Sequence, residues 1–373
     1  MKKLFIVVNV DWFFLSHRKD IAISVQKVGY DVTIVTKNTG RKKDIEALGL
    51  KVIDLPINSR GENILEELYT LRFLYRLYLR EKPVIVHHVG LKIILWGTLA
   101  AKLSRVHGVV NAVSGLGILF SEDNRSVVSK IILRVLRFAH HRKNINVIFQ
   151  NVEDKSLFLN NSIIKEEQAF MIKGSGIDLN QFCYTQELNK GKIRVLLAAR
   201  MISEKGIFVL TDAAKLLKER YKDKVEFLIC GAIDDNPMAI KECDLKAVCD
   251  GNYIQWLGYQ TDVLDLLKSC NIFAFPSYYR EGIPKSLIEA TAVGRPIVTT
   301  NSIGCKETVV DGYNGFLVPI KDSKAFAEKL SILFEDKELR QQMGCNSRAL
   351  AKKYFAIESV IEKHLSIYNR LSK

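Results

Sequence analysis

Residues 272–301 read IFAFPSYYREGIPKSLIEATAVGRPIVTTN, and this stretch predicts the unit from which the fold is built. It begins with IFAFPS (272–277), an apolar and aromatic run that favours a buried β-strand. A helical pattern follows over residues 284–293, with a proline where the helix starts and a glycine directly after it. PIVTTN (296–301) is again typical of a buried strand. Two buried strands joined by a helix form a β–α–β unit with parallel strands.

The same alternation extends along the rest of the 373 residues. Val- and Ile-rich runs alternate with helical patterns from LFIVVNV (4–10) to NVIFQN (146–151), and the alternation restarts at IRVLLAAR (193–200). Buried runs separated by helices favour parallel sheets that are covered by helices on both faces. We therefore predict an α/β fold of two doubly wound Rossmann-like domains that face each other across a cleft, with ligands beyond the carboxyl ends of the strands.

A glycine-containing segment, GSGIDLNQF (174–182), separates the two halves. It predicts a first domain over residues 1–180 and a second over 181–350. Residues 351–373 are expected to form a C-terminal helix that packs back on the first domain. Continuous helices are predicted, among other places, over 17–28 and about 337–369.

The composition is that of a folded protein with an uneven charge. Hydrophobic residues make up 48% and charged residues 26% of the chain, which excludes a disordered protein. The longest apolar stretch, IILWGTLAA (93–101), is much shorter than the roughly 20 residues of a membrane span. Of the net charge of +14, residues 1–180 carry +10, from 27 Lys or Arg against 17 Asp or Glu. The first half therefore favours an acidic partner, or else has a basic surface that only aids solubility.

Two glutamates flank the predicted start of the helix at 284–293. Glu281 is in the loop, where an acid can complement the helix dipole. Glu289 is in the second turn, beyond the range of that effect, so hydroxyl recognition explains it better. The backbone N–H groups of Gly282, Ile283 and Lys285 are suited to phosphate oxygens. The loop therefore predicts a binding site for a phosphorylated sugar compound.

Two cations occupy the end of another predicted strand, in IRVLLAARMISEKGIF (193–208). Arg200 ends the strand, and Lys205 precedes Gly206 and a helix. A guanidinium and an ammonium group at the edge of a sheet can bind a diphosphate. On these residues alone, a surface arginine and a lysine that flanks a helix are an equally good interpretation.

Together these motifs resemble the family 4 glycosyltransferases of the GT-B fold. The resemblance rests on Arg200 and Lys205, on two glutamates with seven residues between them, and on GRPIVTTNSIGCKETVVDGYNGFLV (294–318). It covers nearly the whole chain and implies a retaining transferase that uses a nucleotide-activated sugar. An NAD-dependent enzyme is a poorer match, because VSGLGILF (113–120) lacks the third glycine of a dinucleotide-binding loop.

The resemblance assigns roles to individual residues of the second domain, which it makes the nucleotide-sugar-binding domain. It implies that Glu289 holds the ribose and that Glu281 holds the hydroxyls of the donor sugar. It also implies that Arg200 and Lys205 hold the departing diphosphate. The catalytic set is then Arg200, Lys205 and Glu281. No metal or other cofactor is implied, and no D-x-D sequence is present. The predicted donor-binding set is Gly282, Ile283, Pro284, Lys285, Glu289 and Gly258.

In the first domain a narrower resemblance points to an acceptor site. After the first strand, Ser16, His17 and Arg18 follow an aromatic loop, although His17 is as easily structural. A narrower group is also similar: the bacterial transferases of lipid-linked N-acetylgalactosamine and their capsule and O-antigen relatives. The resemblance rests on the segment with Ser114, Gly115 and Gly117, on Lys92 after two histidines, and on D-x-N-P after residue 233. The acceptor-side set is Ser16, His17, Arg18, Lys92, Ser114, Gly115 and Gly117.

The predicted helix SKIILRVLRFAHHRK (129–143) is basic and amphipathic. Lys130, Arg134 and Arg137 recur at helical spacing, which suits an anionic membrane surface, and the apolar residues are expected on the opposing face. A helix packed on the core with a solvated basic face is an equally good interpretation.

These features lead to one expected function and its alternatives. We expect transfer of an N-acetylhexosamine, best GalNAc from UDP-GalNAc, to a polyprenyl-diphosphate-linked glycan in surface polysaccharide or glycoprotein glycan assembly. The alternatives are UDP-GlcNAc, UDP-glucose or a GDP-sugar with another acceptor, or a non-catalytic protein that binds nucleotide sugars at a membrane surface. The expected location is cytoplasmic, peripheral at the inner face of the bacterial cytoplasmic membrane. Nucleic acid is not expected as a partner, because the basic helix lacks interleaved aromatic residues.

Overall fold

Parallel strands alternate with helices through the computed structural model, which describes residues 1–58, 63–116, 127–187, 191–234 and 238–372. The strands are β1 Lys2–Val10, β2 Tyr30–Lys37, β3 Lys51–Asp54, β4 Ile85–Val89, β5 Gly108–Val113, β6 Ile145–Phe149, β7 Ala169–Met171, β8 Ile193–Ala198, β9 Val225–Cys230, β10 Ile254–Trp256, β11 Ile272–Phe275, β12 Ile297–Thr300 and β13 Gly315–Val318. The helices are α1 Asp11–His17, α2 Lys19–Lys27, α3 Lys42–Glu46, α4 Ile64–Glu81, α5 Leu91–Leu103, α6 Val127–His140, α7 Val152–Asn160, α8 Ile207–Tyr221, α9 Glu242–Val248, α10 Val263–Ser269, α11 Lys285–Val293, α12 Ser323–Glu335, α13 Lys337–Leu350 and α14 Ile357–Leu371.

The first unit consists of Met1–Gly176 and the C-terminal helix α14. Its sheet has the strand order β3-β2-β1-β4-β5-β6-β7, and every strand pair is parallel. The Val and Ile runs are buried on both faces because α2 and α14 cover one face and α4, α5 and α6 cover the other. The strand order reverses between β1 and β4, so ligands are expected at the carboxyl ends of these strands.

The second unit, Ile177–Ala356, repeats this architecture. Its sheet has the order β10-β9-β8-β11-β12-β13, again with parallel pairs only, and reverses between β8 and β11. The α8 and α12 side chains form a core on one face, and α10 and α11 form one on the other. The prediction of two doubly wound Rossmann-like domains is confirmed.

One helix starts later than expected and another is broken. The helix expected at 17–28 is α2, Lys19–Lys27, and it is separated from α1 by Arg18, whose backbone is not helical (φ −132°, ψ −9°). The helix expected at about 337–369 ends at Leu350, is followed by one π-helical segment, and resumes at Ile357 after an extended Ala356. The Phe355 carbonyl oxygen there accepts a hydrogen bond from the Ile177 N–H at 2.8 Å, so a contact distant in sequence fixes the break. None of the helices in the described parts of the chain has the length and apolar character needed to cross a membrane.

A buried hydrogen-bond network joins the helices α4, α5 and α6 to the sheet of the first unit. The Asn111 side chain on β5 is at its centre and contacts His88, Thr98 and His140 at 2.8–3.2 Å. His140 Nδ1 lies 2.8 Å from a carbonyl oxygen of its own helix, so His140 Nε2 accepts from the Asn111 amide. The amide oxygen then accepts from His88 Nδ1, and His88 Nε2 accepts from the Tyr78 hydroxyl. This arrangement requires both histidines to be neutral.

We expect the protein to lose stability as the pH falls from about 6.5. Burial lowers the pKa of His88 and of His140 to about 4 and that of His364 to about 3. The unfolded chain takes up these protons below pH 6.5 and the folded chain does not, so stability falls with pH by up to about 1.4 kcal/mol per pH unit for each histidine. Thermal unfolding between pH 7 and pH 5 measures this. The unfolding temperature of a His364→Leu variant should depend less steeply on pH than that of wild type, whereas a variant of the exposed His107 should keep the wild-type slope. Equal slopes in all three proteins would contradict the contribution of the buried histidines.

Candidate active site

The loop that leaves β11 is tied to two other strand-end loops through one serine. The Ser277 carbonyl oxygen accepts hydrogen bonds from the hydroxyls of Thr300 and Ser302, the second at 2.9 Å. The Ser277 hydroxyl donates to the Glu204 carbonyl oxygen at 3.2 Å. Because β8, β11 and β12 are neighbouring parallel strands, their carboxyl ends lie at one edge of the sheet. None of these anchoring residues was singled out from the sequence.

Two glycines let these loops approach each other closely. Gly206, at φ +77°, precedes α8, and a Cβ atom there would overlap the Pro276 carbonyl oxygen. Gly304, at φ +89°, follows β12, and a Cβ atom there would overlap the Gly282 carbonyl oxygen. Both positions need glycine for its left-handed backbone and for the missing side chain. They set where Lys205 and Glu281 lie.

We expect Gly304→Ala to damage the site as well as the fold. The added methyl group must displace the backbone at Gly282, next to Glu281. Gly312→Ala is the matched control: its φ is +74°, but no atom lies within 4 Å of the added carbon. The control should lose roughly 1–2 kcal/mol of stability from backbone strain alone, whereas Gly304→Ala should lose more and bind UDP at least about tenfold more weakly. Thermal unfolding and calorimetric UDP titration test this; equal effects of the two substitutions would contradict it.

Lys205 and Glu281 form an ion pair that is mostly shielded from water. The Lys205 ammonium contacts the Glu281 carboxylate, and the two side chains are 7% and 21% exposed. The ammonium nitrogen also lies 5.2 Å from the ring centre of Phe275 and 5.5 Å from that of Tyr279. The structure thus brings together the two residues expected to bind the diphosphate and the donor sugar. Shielding strengthens the interaction of such a cation with a phosphate.

Arg200 is near this pair but has a different partner. Its guanidinium donates to the Asp234 carboxylate at 2.8 Å, and the arginine side chain is 45% exposed. The pKa of the Tyr279 hydroxyl is raised mainly by burial, with Arg200 opposing and Glu281 reinforcing the shift, so both charges lie near this tyrosine. The D-x-N-P signal extends into residues 235–237, which lie outside the described residues.

Helix α11 begins at Lys285, with Pro284 as its N-cap rather than as its first residue. Gly282, Ile283 and Pro284, in the loop between β11 and α11, are buried. Glu289, one turn after Lys285, is half-buried, and burial raises the pKa of its carboxyl group to about 7 although the Lys285 charge opposes the shift. A carboxyl group that titrates near neutral pH is typical of functional sites.

Gly258 lies just after β10, the strand that pairs with β9. Its carbonyl oxygen accepts a hydrogen bond from the Gly231 N–H at 2.8 Å, and its φ of +67° favours glycine. A Cβ atom at Gly231 would overlap the Ala199 carbonyl oxygen. Gly231 therefore allows the loops after β8 and β9 to pack beside Arg200, and it is a further site residue that sequence reasoning missed.

In the first unit, Ser16 and His17 are adjacent at the end of α1. The Ser16 hydroxyl lies 2.6 Å from His17 Nδ1, and the His17 ring stacks on Phe13 with ring centres 4.1 Å apart. Arg18 was expected beside them on the acceptor side, but its side chain is buried. It donates a hydrogen bond to the His17 carbonyl oxygen at 3.0 Å. The structure brings Ser16 and His17 together but turns Arg18 into the core.

Asp11, the first residue of α1, holds this region in place, and that role was not predicted from the sequence. Its buried carboxylate accepts hydrogen bonds from the N–H groups of Trp12, Thr39 and Arg41 and from the Thr39 hydroxyl. Burial raises the pKa of Asp11, but these hydrogen bonds outweigh burial and lower the pKa. The carboxylate thereby joins the start of α1 to the loop after β2.

The other acceptor-side residues are only partly described. Lys92 lies in the first turn of α5 and forms an ion pair with Glu67 on α4 at 2.5 Å. Ser114 and Gly115 follow β5 and are half-buried, with Gly115 at φ +106°. Gly117 lies outside the described residues. Of the acceptor-side set, Ser16 and His17 contact each other, and Lys92 contacts Glu67 on α4.

Helix α6 exposes its basic residues, but its apolar residues are arranged differently from the expectation. Lys130, Arg134 and Arg137 are exposed, and Arg137 donates to a carbonyl oxygen of α7 at 2.6 Å. Ile131 and Phe138 were expected on the opposing face, yet they are 52% and 57% exposed. The outward face of α6 is therefore both basic and apolar, which is the composition of helices that lie in a membrane interface.

No cluster of three or more His, Cys, Asp or Glu side chains suited to a metal ion occurs in the described ranges. The charge available for a diphosphate at the strand ends of the second unit comes from Lys205 and Arg200.

Comparison with known proteins identifies relatives of both halves. Residues 180–350 match the model for glycosyl transferases group 1, and residues 3–151 match the model for glycosyl transferase 4-like proteins. The N,N'-diacetylbacillosaminyl-diphospho-undecaprenol alpha-1,3-N-acetylgalactosaminyltransferase of Campylobacter jejuni is 29% identical over 362 residues, which cover 92% of each chain. The UDP-Gal:alpha-D-GlcNAc-diphosphoundecaprenol alpha-1,3-galactosyltransferase of Escherichia coli is 24% identical over 91% of this chain and 89% of its own.

A solved structure shows the same fold. The structure of Anabaena Alr3699/HepE in complex with UDP superposes with a TM-score of 0.79 at 19% identity, over 99% of this chain and 100% of that one. At that identity the similarity shows the fold alone.

Proposed function

Because the chain belongs to the group 1 and 4-like glycosyl transferases and has the GT-B fold, we propose that it moves N-acetylgalactosamine from UDP-GalNAc to a polyprenyl-diphosphate-linked glycan. It is a glycosyltransferase, and the family mechanism is retaining. The observation that carries the proposal is the shielded Lys205–Glu281 pair at the carboxyl ends of β8 and β11. The Campylobacter relative supports the donor sugar and the lipid-linked acceptor.

The proposed donor lies along the edge of the second sheet. Glu289 accepts hydrogen bonds from the ribose hydroxyls, and Glu281 accepts them from the hydroxyls of the sugar. Lys205, Arg200 and the N-terminus of α11 hold the diphosphate. When Glu281 turns to the sugar, the Lys205 ammonium loses its contact with the Glu281 carboxylate and becomes available to the phosphates. Donor binding therefore exchanges an internal ion pair for contacts with the ligand.

In the proposed reaction, the acceptor hydroxyl attacks the anomeric carbon from the face that the diphosphate leaves. The bond from this carbon to the phosphate oxygen breaks, the bond to the acceptor oxygen forms, and the acceptor proton passes to the departing phosphate. Negative charge develops on the diphosphate in the transition state, where Lys205 and Arg200 stabilise it. The configuration at the anomeric carbon is retained.

We expect the reaction to need no divalent metal. The two cationic side chains supply the charge that a metal ion supplies to a diphosphate in other transferases. Initial rates measured with and without EDTA should agree within about twofold, a difference of less than about 0.5 kcal/mol in barrier height. A rate that EDTA abolishes and Mg²⁺ or Mn²⁺ restores would contradict this.

The donor is tested by a panel of nucleotides and nucleotide sugars. UDP-GalNAc, UDP-galactose, UDP-GlcNAc, UDP-glucose and a GDP-sugar are compared by thermal shift and by UDP or GDP release with a short-chain polyprenyl-diphosphate-linked sugar. UDP-GalNAc should give the highest kcat/KM. Preference for UDP-galactose, the donor named for the E. coli relative, would replace the N-acetyl sugar in the proposal. Turnover of the GDP-sugar alone would overturn the UDP assignment.

We also propose that helix α6 holds the enzyme at the cytoplasmic face of the membrane, where a lipid-linked acceptor is reached. Its exposed Lys130, Arg134 and Arg137 lie beside the exposed Ile131 and Phe138. Flotation with anionic vesicles tests this. Binding should fall on Arg134→Gln and Arg137→Gln substitution, and unchanged binding would refute the role of this helix.

A further inference from the structure

A small cavity of the second unit lies at the opposite edge of the sheet from the candidate active site. Its volume is about 130 Å³. Asn271 and Pro296, which lie in its wall, directly precede β11 and β12, so the cavity is at the amino ends of these strands. The loops of the candidate active site leave the carboxyl ends of the same strands. The cavity is therefore a separate place in the fold from the one that holds Lys205 and Glu281.

Buried charged side chains form one wall of this cavity. Arg340 on α13 donates to Glu187 at 2.8 Å, and the two side chains are 6% and 7% exposed. The Asn271 amide donates to the same carboxylate oxygen, Oε1, at 2.7 Å. Arg295, which is 1% exposed, lies in the wall between α11 and β12. Two guanidinium groups thus share the wall with one carboxylate.

The wall of the cavity has an excess of positive charge. Glu187 is the one acid among the described residues that line it. The Cys270 thiol lies near Arg295, but burial raises its pKa to about 12 although the Arg295 charge opposes the shift, so the thiol is neutral at ordinary pH. A buried guanidinium group without a counter-ion is costly. The wall therefore favours an anion.

Two atoms of these charged groups have no hydrogen-bond partner among the residues that the structure describes. They are Arg295 Nε, which is a donor, and Glu187 Oε2, which is an acceptor, and both are buried. Arg295 is held through its Nη2 atom, which donates to the Thr185 carbonyl oxygen. Buried polar groups nearly always have partners, and a charged group left without one costs more than a neutral group does. The two atoms fit a ligand that accepts a hydrogen bond from Arg295 and donates one to Glu187.

A small oxyanion that carries a hydroxyl group meets all of these conditions. Its negative charge compensates the second arginine, an unprotonated oxygen accepts from Arg295 Nε, and its hydroxyl donates to Glu187 Oε2. Inorganic phosphate is such an anion, because at neutral pH it keeps a hydrogen on at least one oxygen. The cavity of about 130 Å³ has roughly ten times the minimum volume that holds one water molecule. Water satisfies the two hydrogen bonds but leaves the charge uncompensated.

We propose that this cavity, which we call the Arg295 cavity, binds inorganic phosphate. Its polar wall consists of Gln186, Glu187, Asn271, Arg295, Arg340 and Gln341. Helix α11 carries Glu289 and ends at Val293, directly before the cavity wall, so a bound phosphate fixes the far end of a helix of the candidate active site. Phosphate binding needs neither a sugar donor nor an acceptor, so this proposal does not rest on the proposed function.

The Glu187 carboxylate makes the Arg295 cavity selective among similar anions. Sulfate has the same shape as phosphate but carries no hydrogen at neutral pH, and a phosphate monoester has lost its last hydrogen at about pH 8. Either anion turns an unprotonated oxygen toward Glu187 Oε2, where the two negative groups repel each other. We expect both anions to bind at least about 100-fold more weakly than inorganic phosphate.

The test is calorimetric titration of the full-length protein at about pH 8 with inorganic phosphate, sulfate and methyl phosphate. Methyl phosphate distinguishes free phosphate from a phosphate monoester as the ligand. Inorganic phosphate should bind, and the other two anions should bind at least about 100-fold more weakly. Equal affinity for the three anions, or no binding of phosphate at about 10 mM, would overturn the proposal.

Glu187→Gln tests the origin of this selectivity. The amide oxygen can keep the hydrogen bonds from Asn271 and Arg340, and the amide nitrogen replaces Oε2 with a donor. The variant should therefore bind sulfate, and the ratio of phosphate to sulfate affinity should fall from at least about 100 to below about 10. The ratio is measured within one protein, so a change in stability does not affect it. An unchanged ratio would contradict the contact with Glu187.

Gln341→Glu tests where the phosphate binds. Gln341 lines the cavity and is half-buried, so a carboxylate there should lower phosphate affinity by at least about tenfold. Gln342→Glu is the matched control, because it adds the same charge to the adjacent residue, which is exposed and donates to Asn346 at 3.1 Å. This control should bind phosphate within about twofold of wild type, since solvent screens the added charge. Equal losses in the two variants would overturn the proposal.

Lys205→Ala separates the Arg295 cavity from the candidate active site, whose cations also attract phosphate. If phosphate binds in the cavity, this variant should keep the phosphate affinity within about twofold of wild type, whereas Gln341→Glu lowers it. The reverse result would place the phosphate at the candidate active site and overturn the proposal. Phosphate binding that depends on Gln341 in a protein without transferase activity would leave the Arg295 cavity standing and end the proposed function alone.

Discussion

Lys205→Ala should lower kcat by two to four orders of magnitude while the protein stays folded. The Lys205 ammonium lies at the carboxyl end of β8, shielded from water beside Phe275 and Tyr279. A shielded charge aimed at a departing group stabilises the transition state far more than it stabilises the ground state. The loss should therefore appear mainly in kcat, measured as UDP release. Lys222→Ala, which removes an exposed lysine after α8, is the control and should leave kcat unchanged.

The ion pair with Glu281 means that Lys205→Ala should change stability as well as turnover. Removing Lys205 leaves a mostly shielded carboxylate without its cation, which costs stability. The double variant Lys205→Ala/Glu281→Gln removes that cost, so its unfolding temperature should exceed that of Lys205→Ala. Its turnover should stay as low as that of the single variant. Recovery of both stability and turnover would show that Lys205 is structural, and undiminished turnover of Lys205→Ala would end the assignment.

Substitutions of Glu281 and Glu289 should have different effects on the binding of UDP and of UDP-GalNAc. If Glu281 contacts only the sugar, Glu281→Gln should weaken UDP-GalNAc binding and lower kcat/KM by about 100-fold, or roughly 3 kcal/mol, yet leave UDP binding within about threefold of wild type. If Glu289 contacts the ribose, Glu289→Gln should weaken UDP and UDP-GalNAc by the same factor. Calorimetric titration of both ligands into both variants measures this. Equal losses for UDP in the two variants would contradict the division of roles.

The Glu289 carboxyl group also predicts a pH dependence. Burial raises its pKa to about 7, so in the free protein much of it is protonated below neutral pH. If the two ribose hydroxyls donate to the carboxylate form, they stabilise it, so UDP binding should release a proton below pH 7 and should strengthen as the pH rises from 6 to 8. Glu289→Gln should flatten that dependence.

Local sequence was sufficient to predict the β–α–β units and the strand ends at which Lys205 and Glu281 lie. The Val and Ile runs read as buried strands because they are covered on both faces, and Glu281 and Lys205 each follow such a strand directly. Parallel topology then places strand ends side by side, so residues 76 positions apart could be expected to meet. The ion pair itself was not foreseen, because each side chain had been assigned to a ligand.

What the sequence did not disclose depends on contacts between distant segments. Ser277 gains its role only because β8, β11 and β12 are neighbours, and Asp11 because the loop after β2 folds over it. The helix break at Ala356 has no local glycine or proline signal and follows from the hydrogen bond between Ile177 and Phe355. Periodicity also misplaced Ile131 and Phe138, since it finds an apolar stripe but does not tell which stripe a neighbouring helix covers.

The lipid-linked product is the direct test of the proposed transfer. The protein is incubated with UDP-GalNAc and a polyprenyl-diphosphate-linked sugar, and the lipid product is analysed by mass spectrometry and by NMR of the new anomeric proton. We expect a product heavier by one N-acetylhexosamine with the configuration of the donor retained, and Lys205→Ala should form it two to four orders of magnitude more slowly. A β-linked product, or UDP release without any heavier lipid product, would contradict it.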